Sequence, residues 1–188
     1  MCPICDGKSE DEVREELAAF IDEHGWAVQG VEPGPNSWGW QYTIGLVERF
    51  GHPELVVSST LSRRDELRLL TYLVGEIEQG QRFGPGDRPV VGRAELSFVE
   101  VHPQQINNGL LIMWLDHYRA FPELLPSLTA LQVVLPPEFF CEHTGPQPRL
   151  DRPHDALRRR SGNRAARRAW ARDAKGRRRR GPPTRHRR

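Results

Sequence analysis

The chain has 188 residues, 37% of them hydrophobic, with three cysteines and a formal net charge of +2. That length allows one core to form without disulfide staples, and with no run of about 18 apolar residues no membrane-spanning helix is expected. The near-neutral total conceals two opposite parts: residues 1–151 hold 11 Lys/Arg against 23 Asp/Glu, net −12, while residues 152–188 hold 16 against 2, net +14.

The charge split predicts an acidic globular domain over 1–151 followed by an Arg-rich tail over 152–188. Three cysteines, two of them in Cys2-Pro3-Ile4-Cys5, do not make a disulfide framework. With no basic region leading into an apolar one at the start, a cytoplasmic location is expected.

Ser9-Glu10-Asp11-Glu12 is a capping box that opens a helix over about 10–23. Val13, Leu17, Phe20 and Ile21 supply its apolar face, and Gly25 ends it. Residues 26–31 read as a short strand, and Glu32 to Ser37 as a loop of turn formers. The densest stretch follows, Trp38 to Val57. Within it Gln41 to Leu46 has strand composition, with Tyr42, Ile44 and Leu46 on one face. Gly45 inside that run marks a bulge or a close approach by another backbone. Phe50-Gly51-His52-Pro53 makes a turn, and Leu55 to Ser59 a second strand buried on both faces.

Ser62 caps a second helix whose stripe is Leu67, Leu70, Leu73, Val74 and Ile77, with Gly80 as its stop. A Gly/Pro loop over 81–87 leads to strands at 89–91 and 96–101. Leu110 to Tyr118 reads as helix and Ala130 to Leu135 as a last strand, closed by Pro136-Pro137. The mixture predicts an α+β domain: a curved, mainly antiparallel sheet covered by two or three helices, with a disordered basic C-terminal tail. No GxGxxG or P-loop is present.

CPIC at the N-terminus, Gly25-Trp26, Trp40-x-YTIGL to Leu46, GHPELVV over 51–57, G-x-x-F-x-PG over 80–86 and QVVLP over 132–136 give the chain a resemblance to the bacterial domain of unknown function 4262 family. The resemblance spans about 2–153 and leaves out the Arg-rich tail. It implies no established activity. At Pro137 the chain departs from the family pattern, which carries Asp after the late proline.

Two constellations carry candidate chemistry. Cys2 and Cys5 with Cys141 and His143 supply four S/N ligands, the set a tetrahedral zinc site needs. The alternative is reduced thiols and an unrelated histidine. The second is a cleft around Trp38, Trp40, Tyr42, Thr43, Gly45, His52 and Glu54, with His102 nearby. His52 titrates near neutrality and can serve as base or ligand, yet no local Ser or Cys stands beside it as nucleophile. Asp116 to Arg119 reads as a solvated helix end.

Two functions follow. One is a module binding a small molecule or protein in that cleft, with the tail attracting nucleic acid or another polyanion by counterion release. The other is a hydrolase-like or metal-dependent enzyme using a His52/Glu54 pocket.

Overall fold

The computed structural model describes residues 7–34, 37–125, 128–140 and 146–153. A five-stranded sheet runs through its middle in the order β1-β2-β3-β7-β6, formed by β1 (Ala27–Val31), β2 (Trp40–Ile44), β3 (Glu54–Val57), β6 (Ser97–Glu100) and β7 (Ala130–Val134). Three neighbouring pairs are antiparallel; β3 and β7 run parallel, with Leu55 opposite Leu131. A separate hairpin joins β4 (Val90–Val91) to β5 (Ala94–Glu95). The fold is α+β with an open, mixed sheet.

Period-two side chains divide the core between the two faces of the sheet. Tyr42, Ile44, Val56 and Ala130 share one cluster with Ile21 of α1 (Glu10–His24) and with Trp114 and Tyr118 of α5 (Ile112–Tyr118). Leu55, Val57, Leu131 and Val133 share the other with Leu70, Leu73, Val74 and Ile77 of α3 (Arg63–Glu78). β3 is buried along its whole length, as its unbroken apolar composition requires.

The helices begin where side chains can satisfy their first N–H groups. Ser9 and Glu12 complete the reciprocal capping box of α1, and Gly25 ends it at φ 85° with its N–H on the Ile21 carbonyl. Ser62 caps α3 by accepting from the Asp65 N–H.

Three expectations need correction. β2 stops at Ile44, and Leu46 instead opens a short helix, α2 (Leu46–Phe50). Gly45 forces the change: at φ 112° it turns the chain, and a Cβ there would lie 2.9 Å from the Gly25 carbonyl oxygen and 3.0 Å from the Trp26 Cα. Leu67 is 43% exposed, because the stripe through residues 70, 73, 74 and 77 continues back to Glu66, one position and about 100° away. Phe20 is half-exposed and packs its ring on His24, since α1 lies over the edge strand β1 and buries only Ile21 fully. A further helix, α4 (Pro103–Asn107), escapes sequence reading because it is a single turn capped by His102.

Two buried glutamines fasten the segment after β7. Gln132 donates to the Pro148 carbonyl and accepts from the Leu150 N–H; Gln147 donates to the Val133 carbonyl and accepts from the Leu135 N–H. Each amide replaces a pair of strand-like backbone bonds, which places Leu150 wholly inside.

Gly45→Ala is expected to destabilise the fold by roughly 1–3 kcal/mol from the left-handed backbone alone, and further from the 2.9 Å approach. Urea unfolding measures it. A midpoint equal to that of the unmodified chain would contradict the packing described. Gln132→Ala strands a buried donor and acceptor and is expected to cost about 2–4 kcal/mol by the same measurement.

Candidate functional site

At the end of the sheet where β2 leaves and β3 begins, one carboxylate organises the surroundings. Glu54 is fully buried, and its Oε1 accepts from the N–H groups of Gly45 and Leu46, each at 2.9 Å, and of Val47 at 3.4 Å. It therefore caps α2 from across the chain, placing negative charge at the positive end of that helix. The Tyr118 hydroxyl donates to the same oxygen at 2.9 Å, and the Thr43 hydroxyl donates to Oε2. Thr43 in turn accepts from the Leu55 N–H at 2.8 Å. Burial pushes the Glu54 carboxyl up to about 7 against the pull of these donors, and burial next to Glu54 raises the Tyr118 phenol as well.

His52 stands close in sequence but faces elsewhere. Its Nδ1 lies 2.6 Å from the Pro53 carbonyl oxygen and its Nε2 accepts from the Phe83 N–H at 3.1 Å. A carbonyl only accepts and an amide N–H only donates, so the ring is neutral with its proton on Nδ1. Burial lowers its pKa. Both ring nitrogens are engaged by backbone, and the ring ties the loop at Phe83 to the start of β3. His102 caps α4 by accepting from the Gln104 N–H, and His117 meets Glu48 at 3.1 Å.

A groove of about 250 Å³ opens at the other end of the same strands, where β1 ends, β2 begins and β3 gives way to α3. Of the residues singled out from sequence, Trp38 and Trp40 line it, whereas Tyr42, Thr43, Gly45, His52 and Glu54 lie in the enclosed region. The Trp40 Nε1 donates to the Leu110 carbonyl at 2.9 Å, which fixes its ring.

The polar floor of the groove comes from Gln41 and Glu66, each only 4% exposed. The Gln41 Nε2 donates to the Arg63 carbonyl at 2.8 Å and to Glu66 Oε2 at 3.0 Å. Both partners are acceptors, so the orientation of the amide is settled. Glu66 Oε1 accepts from the Ser59 N–H and hydroxyl. Burial raises the Glu66 carboxyl, while the donors Gln41 and Ser59 work against that shift. Arg63 lies across Gly30, where a Cβ would fall 1.5 Å from its Nη2, and pairs with Glu32 at 2.6 Å.

Gln41, Glu66 and Arg63 were not among the sequence-derived candidates. An acid in register with the apolar stripe of α3 was the available signal for Glu66. Nothing local marks Gln41 or Arg63, which meet only through the packing of α3 on β2. Cys2, Cys5, Cys141 and His143 lie outside the described residues, and among the described residues no three His, Cys, Asp or Glu side chains gather as a metal site. No described helix is long and apolar enough to cross a membrane.

A family model described as a domain of unknown function (DUF4262) matches residues 20–138, and the chain belongs to that family. Comparison with curated proteins and with solved structures gave no match.

The buried carboxyl makes stability depend on pH. With a folded value near 7 against an ordinary 4.5, the folded state holds its proton where the unfolded chain has released it. Its contribution is complete below about pH 4.5 and falls by roughly 3 kcal/mol as the pH rises to about 7. Glu54→Gln removes that titration. Urea midpoints across the range are expected to lose this slope in the variant, and parallel profiles would contradict the assignment.

Proposed function

We propose that this member of the DUF4262 family is a binding module whose working surface is the groove between the β1–β2 loop and the start of α3. The observation that carries this reading is Gln41. Its side chain is almost wholly buried and lines the groove, its amide nitrogen is saturated, and its Oε1 has no protein partner among the described residues. That oxygen is not among the buried atoms left without a partner, so it is open to solvent at a concave surface, where a ligand's donor can take the place of water. Trp38 and Trp40 add apolar walls, and α3 and the sheet hold the polar floor rigidly.

A hydrolase-like reading on His52 and Glu54 has less support. The imidazole's one lone pair, on Nε2, is taken by the Phe83 N–H, and the carboxylate already accepts from α2, Thr43 and Tyr118. The zinc reading gains no support, because its four ligands lie outside the described residues.

Residues 152–188 carry net +14, and their charge supports attraction of nucleic acid or another polyanion without sequence preference. Most of that segment, 154–188, lies outside the described residues.

Two measurements test these proposals. A fragment screen by ligand-observed NMR should give hits that Trp40→Ala and Arg63→Ala weaken by about tenfold or more. Tyr72→Ala, on the outer face of α3, should leave them unchanged. Hits indifferent to both groove substitutions would sink the binding reading. Gel shifts with unrelated DNA sequences should show equal affinities that fall steeply between low and moderate salt. Strong preference for one sequence, or indifference to salt, counts against a polyanion-binding tail.

A further inference from the structure

We infer that the outer face of α1 is the docking surface for the chain's own Arg-rich segment, residues 154–188, and that this contact competes with the polyanion binding proposed above. The face is acidic. α1 carries seven Asp/Glu against Arg14 alone, all seven exposed, while Leu17 and Ile21 turn the other side of the helix to the core. The nearby cations do not neutralise it. Arg14 meets Glu10, Asp11 and, on α5, Asp116, and Lys8 meets Glu16. Glu15 and Asp22, about two turns apart on the outward side, have no ion pair among the described residues. Glu23 meets only the ring of His24, at 3.7 Å.

The occupant is identified by charge and by where the described chain stops. Residues 154–188 hold 15 Lys/Arg against 2 Asp/Glu, net +13, opposite a helix of net −6. The Gln132 side chain alternates with Leu131 and Val133, so it leaves β7 on the side of the sheet that carries α1 and α5. There it holds Pro148 and Leu150, and Leu150 is buried in the same cluster as Ile21 and Tyr118. The His102 N–H donates to the Leu150 carbonyl and Gln105 Nε2 to the Arg152 carbonyl, which keeps the chain on that side. The Arg-rich segment therefore leaves the domain on the side of α1. From β7 to β1 is three strand spacings, about 14 Å. The stretch from Pro153 to Arg158 can span up to about 17 Å, so the first arginine run, Arg158 to Arg160, can reach α1. Exposed ion pairs are individually weak and screened by salt, so the contact depends on many charges meeting at once. Nucleic acid would draw on the same arginines, and only the undocked fraction of molecules offers them.

Amide NMR spectra of the full chain should be compared in low salt and at about 0.5 M, where the screening length is only a few ångström. The resonances of Glu15, Asp22 and Glu23 are expected to move with salt, while those of Thr71 and Tyr72 on the outer face of α3 stay. Replacing Arg158, Arg159, Arg160, Arg164, Arg167 and Arg168 by Gln in the full chain should bring the low-salt α1 resonances close to their high-salt positions. Gel shifts with unrelated DNA then read the competition. Glu15→Lys, Asp22→Lys and Glu23→Lys together should tighten binding at low salt by about threefold or more, the gain for a tail docked about two thirds of the time. Glu78→Lys, Glu100→Lys and Glu138→Lys, at exposed positions off α1, add the same charge and should give a smaller gain.

α1 resonances indifferent to the arginine substitutions, or equal gains from the two lysine triplets, would overturn the inference. Resonance shifts that grow with protein concentration would overturn it as well, by assigning the arginines to a second copy. A full chain that binds no DNA in any form removes the polyanion reading and the competition with it, while the α1 resonances still decide the docking.

Discussion

The centre of the fold depends on a carboxylate enclosed at the point where β3 begins. Glu54 gathers the N–H groups that open α2, the hydroxyl of Thr43 on β2 and the hydroxyl of Tyr118 on α5. An unpaired charge at that depth would be prohibitive. The interaction therefore works in both directions. The donors make burial of the carboxyl tolerable, and the carboxyl fixes where α2 and α5 meet the sheet. Gly45 is the steric counterpart: it lets the chain turn from β2 into α2 while the end of α1 approaches within contact.

That same concentration of bonds separates architecture from recognition. The Glu54 carboxylate is satisfied by partners within the chain and holds elements together, although the Tyr42 hydroxyl, Glu48 Oε2 and Trp114 Nε1 are buried around it without a hydrogen-bond partner. At the opposite end of the strands, Gln41 and Glu66 line a groove, each 4% exposed, and leave no buried atom without a partner. Rigid support beneath an acceptor open to solvent is the condition under which a site binds without first reorganising itself. The strands thus serve as a beam, with a structural polar knot at one end and a receptive floor at the other.

Much of the fold was legible in the chain. Both long helices announced themselves by Ser caps and 3.6-residue apolar recurrence, and β3 by an unbroken apolar run between a His-Pro bend and two serines. The site was far less legible. Tyr42, Thr43, His52 and Glu54 drew attention as a titratable, aromatic cluster, and the structure gathers most of them around the enclosed end of the sheet. A catalytic dyad and a latch of buried hydrogen bonds use the same residue types, and only the positions of their partners separate them. The acid at position 66 was hidden by a neighbouring leucine that fits a helical stripe equally well on paper.

By itself, the sequence determined what is encoded within one turn or one strand: helix caps, the glycines at helix ends, the alternation that gives the sheet two buried faces, and the opposite charges of the two parts of the chain. Only the tertiary structure decided strand order, the parallel pairing of β3 with β7, and which end of the sheet stays open. Those depend on contacts between residues tens of positions apart, such as Glu54 with Tyr118 and Gln41 with Glu66. Local periodicity carries no record of such pairings, because the free energy that selects them arises only when distant segments bury one another's polar groups.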